Sequence, residues 1–190
     1  HSFGCSYKGK KIGSFGDITC FSFDGIKNIT SGEGGALLTK DKKVLNFAKD
    51  ARLLGVIKDT EKRYSGGRSW DFDVIHQGYR YHMSNIFAAI GLVQLSRLEN
   101  EFGPKRKKLK SQYLENLRDC EDIVFQVIDD DSDIVPHILP IIILNNKRDK
   151  IFKMLIENSI AVGIHYKPNH LLSYFMTRYK LPITENIYNE

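Results

Sequence analysis

An α/β fold class is predicted for this chain by three features of its pattern. Two short apolar runs of β type, Ile18 to Phe23 and Ala36 to Thr39, flank a turn and a glycine-rich loop. A longer run, from about Ser84 to Glu101, sets Ile86, Ala89, Ile90, Val93 and Leu98 at helical spacing. Beyond Gly103-Pro104 the order becomes strand, strand, helix, strand, which suits a small α+β domain.

Each element has its own signal. Before Gly103, short strands alternate with turns, and the apolar stripe of the long helix reads as core. Pro104 lacks an N–H and marks a break or bend, after which Lys105 to Asn116 reads as a second helix. Ile123 to Ile128 is strand-like, Asp129 to Asp133 is an acidic turn, and His137 to Leu144 is a second strand. Lys150 to Asn158 reads as a helix and Ile160 to Ile164 as a third strand. The division near Gly103-Pro104 gives two domain assignments, 1–103 and 104–190.

Composition bounds the function. A hydrophobic fraction of 42% over 190 residues is enough to build a core. The net charge of +5 is modest, and much of it lies in Lys105-Arg106-Lys107-Lys108-Leu109-Lys110. With no aromatic residues between these cations, the run reads as a solvated helix face rather than a nucleic-acid surface. The apolar run Ile138 to Leu144 is too short to span a bilayer and contains Pro140. Cys5, Cys20 and Cys120 show no paired spacing, which suggests reduced thiols and a cytoplasmic setting. The six histidines form no His-Glu-x-x-His arrangement, and no metal site is expected.

The chemistry centres on Lys27. It stands in Ser22-Phe23-Asp24-Gly25-Ile26-Lys27-Asn28-Ile29-Thr30-Ser31-Gly32-Glu33-Gly34-Gly35, between two apolar strands and beside a glycine loop. Partial desolvation there would favour the neutral, nucleophilic amine that a carbonyl cofactor needs. Gly32, Gly34 and Gly35 would supply tight turns and close backbone approach, and Glu33 could fix the loop by accepting backbone hydrogen bonds.

This segment resembles the lysine motif of the DegT/DnrJ/EryC1/StrS family of sugar aminotransferases, which use pyridoxal 5'-phosphate (PLP). Family members typically have serine, lysine five residues later, and then Thr-x-Gly-Glu-Gly-Gly. The resemblance extends through Tyr7-Lys8-Gly9-Lys10-Lys11-Ile12-Gly13-Ser14-Phe15-Gly16-Asp17. It continues in Gly78-Tyr79-Arg80-Tyr81-His82-Met83-Ser84-Asn85 with Ala88-Ala89-Ile90-Gly91, and in Gly163-Ile164-His165-Tyr166-Lys167-Pro168-Asn169-His170-Leu171. Four separated matches in the right order are far more specific than one.

The resemblance implies an aspartate-aminotransferase-like fold (fold type I). Residues 1–103 would be the C-terminal part of the large PLP-binding domain, and 104–190 most of the small α+β C-terminal domain. Lys27 would carry PLP covalently and, once freed, move a proton as general base and acid. Ser22 would hydrogen-bond the PLP phosphate. Arg80 stands where many members have an asparagine that reaches the phosphate of the neighbouring subunit's PLP; phosphate, substrate diphosphate and a structural carboxylate are all open as its partner. His82 replaces a common arginine. His1, in His1-Ser2-Phe3-Gly4, resembles the tail of a Glu-Asp-x-x-His-x-x-Gly motif near the cofactor's 3' oxygen. His165, Tyr166 and His170 are candidates for contacts to the sugar or the donor carboxylate, with a surface turn as the alternative.

The implied reaction moves an amino group, with L-glutamate as the usual donor, onto a keto group of a nucleotide-linked deoxy sugar. The implied setting is surface polysaccharide or lipopolysaccharide O-antigen synthesis by a homodimer with shared active sites. Ser65-Gly66-Gly67-Arg68 and the Tyr79/Tyr81 pair resemble members that aminate C4 of 4-keto-6-deoxy sugars, which leans the implied position toward C4. Two alternatives are a PLP-dependent sugar dehydratase of the same fold and a non-catalytic PLP-binding paralogue. The pattern also implies the middle and later part of a longer enzyme, with an aspartate for the pyridine nitrogen and a phosphate-binding helix start before His1. An isolated piece is expected to bind PLP poorly and not to turn over.

Overall fold

Antiparallel pairing frames the first of two units in the computed structural model, which describes residues 1–57, 65–66 and 72–190. The first unit comprises residues 1–110 and 129–137, and the second comprises 111–128 and 138–190.

In the first unit, β1 (Ser6–Tyr7) lies between β2 (Lys10–Lys11) and β6 (Ser132–Asp133), both antiparallel to it. The acidic stretch read as a turn therefore supplies a short strand, and Lys8 N–H donates to the Asp131 carbonyl at 2.8 Å. Its pairing partner is more than a hundred residues away in sequence, and two residues are too few to show period-2 alternation.

The two strand-like runs flanking the glycine loop are both strands, and they pair as an antiparallel hairpin. β3 (Ile18–Ser22) pairs with β4 (Gly35–Thr39) in a register that sets Ser22 opposite Gly35 and Cys20 opposite Leu37. A helix not anticipated from the sequence, Lys42–Ala51, follows at once. Asp41 caps it by accepting from Lys43 N–H and Val44 N–H, a signal present in the sequence at the usual N-cap position.

Of the break or bend predicted at Pro104, a break does not occur. The Asn85–Arg97 α-helix passes through a π-helical turn, Leu98–Phe102, directly into the helix Gly103–Asn116. In that turn Gly103 N–H reaches the Leu98 carbonyl. The wider turn gives the Pro104 ring room at the start of the next segment, where its missing N–H costs little. Glu101 reinforces the junction. It takes a bidentate contact from Arg97, with both distances 2.8 Å, and a third bond from Lys105 at 2.9 Å. The Arg97 hydrogen bonds, followed by the bond from Lys105, lower the Glu101 carboxyl from 4.5 to about 2.

A pH test follows from that shift. The folded value lies below the unfolded one, so the stabilisation is complete above pH 4.5 and disappears as pH falls toward about 2. Glu101→Gln is expected to melt a few degrees below wild type at neutral pH, with the gap closing through this acid window. The gap should also shrink in high salt, because the pairs are exposed. Melting curves of both proteins from pH 7 to about 2 check it.

The core of the first unit gathers Cys5, Ile29, Leu98 and Val135, with Phe3, Ile12, Phe23, Phe102 and Ile134 packed against them. Phe3 sits edge-on to both Phe21 (4.9 Å) and Phe23 (5.2 Å). The expected core stripe on the long helix is corrected. Of its members, Leu98 is buried, whereas Ile86 is 73% exposed and Ile90 and Val93 are also exposed. Gly91, half-buried, faces Ser31, and the exposed Phe87 ring lies beside Gly32. A Cβ on Gly91 would lie 3.4 Å from Ser31 Cβ, and one on Gly32 3.7 Å from the Phe87 ring. A helix apolar on several faces gives periodicity little to choose between.

In the second unit, β5 (Ile123–Phe125) and β7 (Ile141–Ile143) form an antiparallel pair, each shorter than predicted. Pro140 has no N–H to give the ladder and delays the start of β7. The predicted helix runs Arg148–Glu157. Residues 160–164, read as a third strand, form no strand; among the described residues no neighbouring strand pairs with them. A closing helix, Pro182–Asn189, starts on its own proline, and Ile143 N–H donates to the Glu190 carbonyl at 3.0 Å.

Candidate active site

The turn from Ser22 to Lys27 is built by local hydrogen bonds. Ser22 Oγ accepts from Asp24 N–H (3.3 Å), Asp24 Oδ1 accepts from Ile26 N–H (3.2 Å), and the Asp24 carbonyl accepts from Lys27 N–H (3.1 Å). This is an Asx-type turn, which short polar side chains favour. It sets Lys27 five residues after the strand-end hydroxyl. Among the described residues the Lys27 amine has no hydrogen bond or ion pair.

The glycine loop closes over this turn. Phe23 N–H donates to the Gly34 carbonyl and Ser31 N–H to the Phe23 carbonyl, both at 2.9 Å. Thr30 Oγ1 donates to the Phe23 carbonyl at 3.2 Å and accepts from Gly32 N–H at 2.8 Å. Ser31, 0% exposed, donates its hydroxyl to the Glu33 carbonyl at 2.7 Å. The loop is thus fixed by Thr30 and Ser31, and the Glu33 side chain, expected to do this, is exposed. The glycines behave as predicted: Gly32 and Gly34 have φ of +83° and +126°, and a Cβ on Gly35 would lie 2.4 Å from the Phe21 carbonyl oxygen.

Two residues sequence reading missed hold Lys27 from behind. Asn28, 4% exposed, donates through Nδ2 to the Phe3 carbonyl (2.8 Å) and the Val135 carbonyl (3.0 Å). Arg106 donates to the carbonyls of Pro136 (3.1 Å), His137 (3.3 Å) and Lys27 (3.5 Å). A recess of about 320 Å³ is lined by Lys27, Asn28, Thr30, Gln94, Phe102 and Arg106, among others. The only sequence signal for Asn28 was adjacency to Lys27, and Arg106 was hidden inside a basic run. That run is not simply solvated: Lys105 and Lys107 also pair with Glu101 and Asp133.

The other predicted residues divide between the units. The His1 ring stacks on His137 at 4.7 Å and 10°. Arg80 lies in an isolated antiparallel bridge to Leu53, and its guanidinium has no hydrogen bond or ion pair among the described residues. The same segment reaches the glycine loop, since a Cβ on Gly34 would lie 2.5 Å from Met83 Cε. His165, Tyr166 and His170 belong to the second unit. His165 and Tyr166 are exposed and meet edge-on at 4.7 Å. His170, whose side chain is 9% exposed, is joined through Nε2 to Glu185 Oε1 at 3.0 Å. That bond, with a second from Leu181 N–H, lowers the Glu185 carboxyl and ties the closing helix to the loop before it. Of the motif leaning toward C4, Gly67 and Arg68 lie outside the described residues.

The donor set fits PLP. An aldehyde needs an unengaged primary amine, which Lys27 supplies. A phosphate needs O–H and cationic donors. Ser22 Oγ accepts its bond from Asp24 and so keeps its own O–H to donate, and Arg80 carries a guanidinium.

Comparison with known proteins gives the family and the fold. The family model described as the DegT/DnrJ/EryC1/StrS aminotransferase family matches residues 1–190. The uncharacterized protein MJ1066 of Methanocaldococcus jannaschii is 36% identical over 92% of this chain and 46% of its own length. The UDP-4-amino-4,6-dideoxy-N-acetyl-beta-L-altrosamine transaminase of Campylobacter jejuni strain 81-176 is 32% identical over 92% of this chain and 45% of its own. Among solved structures, Helicobacter pylori PseC, an aminotransferase involved in the biosynthesis of pseudoaminic acid, superposes with a TM-score of 0.87 at 25% identity, covering 100% of this chain and 50% of that one. The chain thus spans about half the length of the curated relatives it matches. Its fold is that of the corresponding half of a fold type I, PLP-dependent sugar aminotransferase. The chain belongs to the DegT/DnrJ/EryC1/StrS aminotransferase family.

Proposed function

We propose that the protein carrying this chain is a PLP-dependent aminotransferase. It transfers the amino group of L-glutamate to C4 of a nucleotide-linked keto deoxy sugar, for surface polysaccharide or lipopolysaccharide. One observation carries the reading: an unengaged lysine amine on a hydrogen-bonded turn, five residues after a strand-end hydroxyl and followed by a pinned glycine loop. The C4 assignment is supported by the name of the Campylobacter relative, a 4-amino sugar transaminase.

PLP, when bound, supplies the electron sink that lets a proton leave the amino donor. This chain's residues do the rest. Lys27 would hold the cofactor and move the proton through its amine, Ser22 and Arg80 would receive the phosphate, and His1 would serve near the 3' oxygen. His165, Tyr166 and His170 are proposed to face the sugar or the donor carboxylate, with His170 acting from its bond to Glu185. A homodimer with shared active sites is supported by the exposed apolar residues Ile86, Ile90, Leu92 and Val93 on the long helix. A cytoplasmic setting suits a nucleotide-sugar substrate, and no helix among the described residues is long and apolar enough to cross a membrane.

The test is isotopic. With [15N]glutamate, PLP and a nucleotide-linked 4-keto-6-deoxy sugar, the full-length protein is expected to place the label on the sugar carbon. Loss of water from the sugar without incorporation of nitrogen would put a dehydratase in its place. Binding of PLP with neither reaction would leave the non-catalytic paralogue.

A further inference from the structure

Three separate stretches of chain converge behind Lys27. Residues 1–3, 27–28 and 135–137 have no sequence proximity, yet each is tied to the others by a polar or ring contact. Asn28 Nδ2 bridges the carbonyls of Phe3 and Val135. Arg106 bridges the carbonyls of Pro136, His137 and Lys27 itself. His137, on the stretch that both donors grip, stacks on His1. Cys5 adds a further tie, accepting from Val135 N–H at 3.3 Å and donating to its carbonyl at 3.6 Å.

Two details separate this arrangement from ordinary packing. Arg106 spends its guanidinium on neutral carbonyls, and among the described residues it has no carboxylate partner. A surface arginine normally faces water or an acid, whereas a planar fork aimed at three carbonyls is a geometric device. Asn28 turns its amide so that both donated bonds are made while Oδ1 is buried with no donor. A buried acceptor left unpaired is costly, so the orientation is dictated by the two carbonyls.

We propose that Arg106 and Asn28 are positioning residues. They fix the backbone of Lys27 against residues 135–137, and through His137 they hold the His1 ring in the same frame. Neither touches the reacting atoms. The proposal rests on the reading of Lys27 as the residue that carries PLP, because the clamp matters only if the place of that amine matters. A misplacement of about 1 Å at a reacting group costs on the order of a hundredfold in rate.

The experiment uses the full-length protein and the variants Arg106→Lys, Arg106→Met and Asn28→Asp. Arg106→Lys keeps the charge and loses the fork. Asn28→Asp keeps the shape and Oδ1 but loses the donor. Hydrogen–deuterium exchange is read first, without PLP. All three variants are expected to exchange at least about tenfold faster in residues 24–29 and 134–138, while β3 and β4 stay as in wild type. With PLP, glutamate and the keto sugar, kcat should fall about ten- to a hundredfold while the KM of both substrates stays within about twofold, the pattern of a lost orienting interaction.

Unchanged exchange in Arg106→Lys and Asn28→Asp would overturn the proposal. So would a rise in KM at constant kcat, which would make Arg106 a substrate-binding charge. If Arg106→Met fails to fold, the two milder variants decide. Failure of the Lys27 reading shows separately, as wild-type protein with no Lys27-dependent PLP absorbance, and the exchange result then stands alone as a structural finding.

Discussion

Replacing Lys27 by alanine in the full-length protein is expected to abolish the visible absorbance that PLP acquires on attachment. Amino transfer should fall by at least about a thousandfold. The size follows from the two tasks placed on one amine. A positioned general acid and base contributes roughly 10²- to 10⁴-fold, and covalent attachment adds the orientation of the cofactor. Alanine removes both while leaving the surrounding bonds, because the backbone of the turn is set by Asp24 and not by the lysine side chain. The melting temperature without PLP should therefore stay close to wild type. Titration of both proteins with PLP, recorded as visible spectra before and after glutamate, checks the prediction. A Lys27-dependent band that fades with glutamate supports it. A band that survives Lys27→Ala would move the covalent site elsewhere and remove the basis of the functional reading.

What could be read from the sequence was the chemistry that local spacing encodes. Ser22, Lys27 and the glycine loop lie within fourteen residues, and the two apolar runs that flank them read as strands, with glycines where Gly32 and Gly34 take positive φ. What escaped was set by contacts between distant segments. Ser132–Asp133 is a strand because Ser6–Tyr7 is there to pair with it, and nothing in its own composition announces that. Pro104 reads as a break or bend, but a π turn shifts the hydrogen-bond register so that the helix runs on without a break. The stripe on Asn85–Arg97 misled because that helix is apolar on several faces, and its close approach to Ser31 is made by the small Gly91 rather than by Ile86 or Val93. At the site, Arg106 was hidden by its neighbours. Among five cations in six residues, only tertiary placement singles out the one that grips three main-chain carbonyls.

Gly78→Ala is the second large effect, and it comes from backbone rather than chemistry. The segment Gly78-Tyr79-Arg80-Tyr81 lies along residues 51–54. Tyr79 N–H donates to the Ala51 carbonyl (2.6 Å), Leu54 N–H to the Tyr79 carbonyl (3.0 Å) and Tyr81 N–H to the Arg52 carbonyl (2.9 Å). A Cβ on Gly78 would fall 1.9 Å from Gly55 N and 2.1 Å from the Leu54 carbonyl carbon. Those are main-chain atoms, so no side chain can swing away. Gly55 cannot retreat in the other direction, since its own φ is +75° and its Cβ position is 2.4 Å from the His76 oxygen. The two segments must separate, and the three bonds that place Arg80 go with them. The expected cost is about 3 kcal/mol, the upper range for overpacking against a rigid neighbour. Gly25→Ala is the control. A Cβ there meets nothing within 4 Å, and its change should stay within about 0.5 kcal/mol. Denaturant unfolding of both variants measures the difference, and PLP titration of folded Gly78→Ala separates the roles of Arg80. If Arg80 serves the cofactor phosphate, affinity for PLP falls along with stability. If it serves the substrate diphosphate, PLP binds as in wild type and only the KM of the nucleotide sugar rises.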